Sequence, residues 1–439
     1  MAFAHIANGQ LTSPHTEVIN RYHVSPAAAE IYKHGNVPVN LSSGQIRYVI
    51  PIYTIRLHDF EWPISLNYAY NGLLLESKPS EVGLGWSLSG GGAVVREVRG
   101  LPDEHPHGYW GLGSRRDYIH NFSAPGDLPY HILNDFMQGI YDAEPDKFHV
   151  NVGNLSFSFY IANPGSPGNC NFTAINVTPN AENAEVCFSW ERIEVRDGNG
   201  VTYVFSLREF NELASSYGVF LDLMSEYTSS WFLTEIRLPN TKTINFGYGS
   251  IQIESISHSE TLFLPLKRDI FINCGLLGMY ANTLFRGFIG FGPIHKRANI
   301  VSYINAKYLE SISWDEGAIE IKRDEVPATN IETPRINRIE LKDASNAVIS
   351  TFDLNYNLNQ ARPTLSEVTK NTEERYLFEY FPVTIPYITQ PYDGMSGQNP
   401  YGQDYWGFAN GKINTSGIIY LGGTEIHLMK HPNKVHLPK

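Results

Sequence analysis

"RIEVRDGNGVTYVF", residues 192–205, decides the fold class. Ile193 and Val195 alternate with charged neighbours, Asp197–Gly200 turns the chain, and Val201, Tyr203 and Phe205 alternate on the return. Successive strand side chains point to opposite faces, so a period of two on both sides of a turn predicts an antiparallel hairpin. "DKFHVNVG" and "LSFSFYIA" repeat the pattern around Gly153–Asn154, a hairpin turn signal. "GQIRYVIPIYTI" and "WPISLNYAY" repeat it around "RLHDFE".

Four longer stretches share one grammar. They begin at Leu233, Leu309, Ile336 and Leu365, each with an apolar residue three positions on: Ile236, Ile312, Ile339 and Val368. A polar turn and an alternating strand follow. Three of the four end on tyrosine (Tyr248, Tyr356, Tyr380), and the second has Arg323 there. One hairpin buries too little apolar surface alone, so stacked neighbours must complete a core.

Composition agrees. Aromatic residues make up 13% of the 439, including 26 Tyr and 23 Phe, which suit a pleated, half-buried surface. Helical periodicity is scarce; Ser25–Gly35 is the best short helix, with Ser25 as cap and Gly35 as stop. "ANPGSPGNCNFT" (162–173) and "PYDGMSGQNPYGQ" (391–403) read as loops. The expected organisation is an N-terminal segment with a short helix (1–35), a β-rich module (36–248), an irregular insertion (249–305), and hairpin repeats with a C-terminal loop segment (306–439).

A net charge of −12 argues against a nucleic-acid partner, because an anionic surface repels phosphates. No apolar run reaches the roughly 18 residues of a spanning helix. Residues 1–18 lack the basic and apolar tracts of a signal peptide. Of the three cysteines, Cys170 and Cys187 flank a polar segment and could clip a hairpin; three unpaired thiols is the alternative. No second Cys or His sits at ligand spacing from Cys170, Cys187 or Cys274, so neither metal nor cofactor is expected.

"SEVGLGWSLSGGGAVVREVRGLPDE", residues 80–104, invites a chemical reading. A phosphate-binding loop needs a lysine and a helix after its glycines; here Ala93, Val94 and Val95 follow. A nucleophile elbow needs G-x-S-x-G between strand and helix; Gly85-Trp86-Ser87-Leu88 is followed by Ser89. Architecture fits better: Gly83, Gly85, Gly90, Gly91 and Gly92 let backbones approach closely, and Trp86 supplies a large apolar face. Arg96 and Arg99 then face water or meet carboxylates.

Two segments hold clustered polar groups. "DEHPHGYW" (103–110) places Asp103, Glu104, His105 and His107 close together, but Pro106 and Gly108 mark a loop and no helix aligns the imidazoles. "YDAEPDKF" (141–148) places Asp142, Glu144 and Asp146 at alternate positions, without the glycine and distal glutamate of a calcium loop. Both read as loop carboxylates. Glycosidase chemistry needs two carboxylates across a cleft, which sequence spacing does not supply. Trp62, Trp110, Trp190, Trp231, Trp314 and Trp406 could stack on sugars, although packing is the favoured role for each.

"VGLGWSLSGGG", "VRGLPDE", "DGNGVTYVF", "SWFLTEIRLPNTKTINFGY" and "YGQDYWGFANGK" occur in an order that resembles the N-terminal region of bacterial RHS/YD-repeat proteins. "VGLGWSLSGG" is also similar to the signature of toxin-complex B subunits and of the Salmonella virulence-plasmid B protein. The resemblance runs discontinuously from about Ser25 to Lys412. It implies an all-β protein with very little helix, whose antiparallel hairpins wind into a curved sheet or shell. It marks Asp404, Trp406 and Gly407 as motif residues beside the glycines and Trp86. It implies a secreted or cell-surface bacterial protein whose partner is another protein or a toxin cargo. Relatives continue into many YD repeats and none follows "DYWGFANGK" here, so a complete shell is not the expectation; a stand-alone short member, one part of a larger assembly and a cut fragment are the alternatives. The expected function is a non-enzymatic structural module that encloses or presents a partner. The alternative is a carbohydrate- or surface-binding protein using exposed aromatics, and a glycosidase-like enzyme is the weakest reading.

Overall fold

The computed structural model describes residues 47–70, 78–113, 132, 135–136, 140–161, 174–176, 184–215, 226–264, 294–324, 333–358, 362–380 and 419–421. The fold is all-β with antiparallel sheets, as expected; among the described residues helix is confined to 132 and 135–136. The short helix at 25–35 and the loops at 162–173 and 391–403 lie outside the described residues. The chain divides into two units. The first holds residues 1–71, 77–255 and 301–385; the second holds 72–76, 256–300 and 386–439.

Two sheets build the first unit. The smaller has the order β1 (Arg47–Leu57), β2 (Phe60–Ala69), β3 (Trp86–Ser89). Its first hairpin turns at His58–Asp59, where His58 takes a φ of 60°. Ile50, Ile55, Leu57, Trp62, Ile64 and Leu66 are buried, while Val49, Pro51, Glu61 and Pro63 on the alternate face are exposed. This is the period-two pattern of a sheet with one face packed.

The larger sheet begins with β4 (Gly92–Glu97), β5 (Lys147–Val152), β6 (Leu155–Ile161) and β7 (Ala174–Asn176). It continues through β8 (Glu185–Phe188), β9 (Ile193–Arg196), β10 (Thr202–Ser215), β11 (Tyr227–Arg237) and β12 (Thr243–Leu264). β13 (Ile294–Trp314), β14 (Gly317–Arg323), β15 (Ile336–Asp343), β16 (Val348–Asn357), β17 (Thr364–Lys370) and β18 (Glu374–Leu377) follow. The main path runs β18-β17-β16-β15-β14-β13-β10-β11-β4-β5-β6-β7, with β9 on β10 and β8 on β9. The hairpin at 192–205 forms as β9 and β10, with Ile193 opposite Phe205. Gly153–Asn154 turns β5 into β6, with Val152 opposite Leu155. All four repeats form hairpins: β11–β12, β13–β14, β15–β16 and β17–β18.

One hydrophobic core joins the two sheets. Trp62 meets Phe246 at 6.1 Å between ring centroids, Tyr53 stacks on Trp314 at 5.7 Å, and Trp86 meets Phe378 at 4.7 Å. The buried faces of β14–β17 (Ile319, Ile339, Phe352, Val368) belong to this core. Their other face carries charges paired across strands, Glu320 with Lys342 (2.7 Å) and Arg338 with Asp353 among them.

β12 and β13 run on into the second unit, so the stretch expected as an irregular insertion begins and ends as strand. In that unit Leu262–Leu264 pairs parallel with β19 (Ile419–Leu421). No helix among the described residues is long and apolar enough to cross a membrane.

Candidate functional site

Each hairpin repeat is closed by its last residue. The Tyr248 hydroxyl donates to the Leu233 carbonyl (2.7 Å), Tyr356 to Ile336 (2.6 Å) and Tyr380 to Leu365 (2.6 Å). The second repeat, which lacks the tyrosine, uses Arg323: its Nη2 donates to the Leu309 carbonyl at 2.7 Å. The residue that opens each repeat is therefore tied to the residue that ends it. Burial pushes Tyr248 and Tyr356 well above the usual phenol range and Tyr380 up to about 12, so all three stay protonated donors.

The glycine-rich stretch crosses these closures as a strap. Ser80 shapes its start: Oγ accepts from Val82 N–H (3.0 Å), and the Ser80 carbonyl accepts from Gly83 N–H (3.0 Å). The Glu81 carboxylate pairs with Arg323 at 2.8 Å, and the Glu81 carbonyl accepts from Ile336 N–H at 3.0 Å. Leu84 N–H donates to Pro363 O at 2.9 Å. Gly83 has a φ of +99°, and a Cβ there would sit 3.0 Å from Leu365 N. Gly85 (φ +78°) passes its carbonyl to Ala69 N–H (2.8 Å), and a Cβ on it would strike the Tyr68 ring at 2.9 Å. Trp86 is 2% exposed and donates Nε1–H to the Tyr380 hydroxyl (2.8 Å). The strap thus touches repeats two, three and four within seven residues. The glycines that follow also serve packing: Gly90 O accepts Trp62 Nε1–H (2.8 Å), Gly91 lies beside the Tyr248 hydroxyl, and Gly92 meets Val152.

Beyond the strap, β4 carries Arg96 into the core instead of to water. Its side chain is fully buried between Asp146 (also fully buried) and Glu104, with Phe148 and Trp190 rings 5.8 and 5.0 Å from its guanidinium carbon. Burial works against its charge, but Asp146 and Glu104 prevail and hold the guanidinium charged. The two carboxylate-rich segments converge here. Asp103 N–H donates to Asp146 Oδ2 (3.0 Å), Asp146 N–H to Asp103 Oδ1 (3.1 Å), Leu101 N–H to Asp142 Oδ2 (3.0 Å), and Asp142 N–H to His107 O (2.9 Å). Arg99 pairs with Glu144 at 2.7 Å. Apart from Asp103 Oδ2, these carboxylates are occupied by backbone and guanidinium donors, and no group of three or more His, Cys, Asp or Glu among the described residues could hold a metal ion.

A second polar set joins three strands. Ser158 Oγ and His149 Nδ1 lie 2.8 Å apart, and His149 Nε2 and Glu97 Oε2 lie 2.9 Å apart. Burial works to raise Glu97, but the hydrogen bond from His149 and the charge of Arg99 win and hold it low. Burial lowers His149, which favours a neutral ring with its proton on the nitrogen facing Glu97. Hydroxyl, base and carboxylate are in the order a nucleophilic serine requires. Yet Ser158 is 7% exposed and lies mid-strand in β6, paired opposite His149, whereas the open end of the set is Glu97. The set ties β4, β5 and β6 together.

Of the tryptophans with a possible sugar-stacking role, Trp62 (3% exposed) and Trp231 (0%) are buried, and Trp190 is covered by Arg96. Trp314 stacks on Tyr53, and Trp110 meets Tyr109 edge-on at 5.2 Å. Cys187 is disulfide-bonded; Cys170, Asp404, Trp406 and Gly407 lie outside the described residues.

No family model matches the chain, and no curated protein does. Among solved structures it is similar to the N-terminal domain of effector protein SpvB from Salmonella typhimurium strain LT2, at 11% identity and a TM-score of 0.33. That match covers 76% of this chain and 99% of the other. It is similar to the TcdB2-TccC3 complex at 12% identity and a TM-score of 0.34, over 76% of this chain and 16% of the other. It is also similar to the Photorhabdus luminescens Tc holotoxin pore, at 10% identity and a TM-score of 0.33, over 75% of this chain and 15% of the other.

Proposed function

We propose that this chain is a non-enzymatic structural module of the RHS/YD-repeat N-terminal kind, which encloses or presents a protein partner or toxin cargo in a secreted or surface setting. The observation that carries the reading is the strap: the most reactive-looking sequence in the chain, residues 80–92, is spent on joining hairpin closures. The motif resemblance supplies the biological setting. A structural module needs a rigid surface held in register, and repeated closures with a strap across them provide one.

A second reading, glycan binding, has one observation in its favour. Tyr48 (46% exposed) and Tyr53 (37%) present rings on β1. One experiment separates the two. The chain is tagged in its native cell and purified quantitatively, alongside a Trp86→Ala variant and a Tyr48→Ala/Tyr53→Ala variant, and all three are applied to a glycan array. The module reading expects a stoichiometric protein partner with the wild type, lost with Trp86→Ala and retained by the double tyrosine variant. Absence of any stoichiometric partner, with array binding lost in the tyrosine variant, transfers the assignment to glycan recognition. Turnover of a glycoside by the pure chain overturns both.

A further inference from the structure

We propose that a proton on Asp103 holds the loop of residues 101–112 against β4 and the segment before β5, so that docking of this loop tightens in acid and loosens as the pH rises. A guanidinium has five N–H donors. In Arg96, Nε serves Asp146, Nη2 serves Asp146 and Glu104, and Nη1 serves Glu104 and the Thr228 carbonyl. All five are spent, and none reaches Asp103. Asp146 also accepts the Arg99 and Asp103 N–H groups, so it holds four donors. Asp103 is 0% exposed and, among the described residues, accepts only the Asp146 N–H on Oδ1 and leaves Oδ2 with no partner.

A buried carboxylate oxygen without a donor is costly, and two adjacent carboxyls do not both ionise readily. Burial pushes both acids up. Asp146, the better solvated by donors, keeps the charge and Asp103 keeps the proton, with its titration raised to about 8 by burial and then by Asp146. The charged and titratable groups around it are Arg96 from β4, Arg99 after β4, Asp142, Glu144 and Asp146 before β5, Tyr227 from β11, and Glu104, His105 and His107 of its own loop. Among the described residues Arg96 is the one cation at the buried centre, and it faces Asp146, Glu104 and Asp103 together.

The sign follows from linkage. Asp103 titrates higher when docked than when the loop is free, so undocking releases a proton. It is therefore favoured by about tenfold per pH unit between the free carboxyl range and about 8, and levels off above that. Asp142 also faces the loop, through Leu101 N–H, and can add a second proton to the slope.

The test is amide exchange of residues 101–112 in the full chain from pH 5 to 8, corrected for the intrinsic pH dependence of exchange. The opening constant is expected to rise with pH in the wild type, and Asp103→Asn is expected to remove about one tenfold step per pH unit from that rise. Carboxyl-carbon NMR of the aspartate-labelled wild type gives a second reading that needs no Asp103 variant. It is expected to show an aspartate still protonated at pH 6, and the same signal in Asp142→Asn. An unchanged slope in Asp103→Asn, or no protonated aspartate at pH 6 once Asp142 is replaced, overturns the proposal.

Discussion

Gly83 works under two constraints at once, a φ of +99° and a backbone neighbour, Leu365 N, 3.0 Å from where a Cβ would stand. An L-residue meets conformational strain and a contact that cannot rotate away. Gly83→Ala is expected to lower unfolding free energy by about 2 kcal/mol, read as a shift in urea midpoint at unchanged slope. Arg323 carries a different load. Its guanidinium serves the Leu309 carbonyl, the Pro334 carbonyl and Glu81, and it is 7% exposed against 12% for Glu81. Removing one partner of a buried pair leaves the other charged and dry, so Arg323→Met is expected to cost about 3 kcal/mol. Arg323→Met/Glu81→Gln should recover part of that loss, and a double-mutant cycle in urea measures the coupling. Sequence showed that Arg323 stands where the other repeats have tyrosine. It did not show that an arginine could perform the same closure, because a guanidinium and a phenol share donor capacity and little else.

At the scale of elements, the hairpins were legible and their ties were not. Ile193, Val195, Tyr203 and Phe205 announce β9–β10 because a half-buried strand writes its burial into every second residue. The Gly153–Asn154 turn even fixes a register, which places His149 opposite Ser158. That contact was readable in principle from the turn alone. Glu97, the third member of the set, was not, since it comes from a strand about fifty positions away. The strap lies further off, with Trp86 reaching Tyr380 across 294 positions. No local period encodes such a contact; only the glycines hinted at a close approach. The repeated closures make a sharp expectation for the hairpins. Tyr356→Phe removes one donor and leaves the Ile336 carbonyl buried with one bond fewer, at a cost of about 1–2 kcal/mol. Amide exchange should quicken in β15 and β16 and stay unchanged in β5 and β6. Tyr53→Phe, at a hydroxyl on an exposed ring, is expected to fall within about 0.5 kcal/mol of the wild type.

Over the whole molecule, the pattern of buried acids sets the pH of greatest stability. Asp142 is raised to about 7, by burial first, and Asp103 to about 8. A carboxyl raised in the folded state contributes fully below its unfolded value of 3.8, and that contribution is lost as pH rises towards the folded value. For Asp142 the loss between pH 4 and 7 is up to about 4 kcal/mol, since each tenfold step is about 1.4. Glu97 acts the other way: held low, it stabilises above its usual 4.5 and loses that contribution as pH falls. The lowered acids on the charged face of the hairpins, Glu320 and Glu367, have the same sign as Glu97 but are too exposed to weigh much. A net charge of −12 adds self-repulsion that grows as more acids ionise. These effects intersect at mildly acidic pH, so thermal unfolding from pH 4 to 9 should give its highest midpoint near pH 5 and decline towards 8. In Asp103→Asn and Asp142→Asn the decline should be shallower, and in the double variant nearly flat apart from the repulsion that added salt removes. A midpoint that instead rises from pH 5 to 8 in the wild type means that the buried acids keep their charges, and that the Arg96 cluster is held by ion pairing alone.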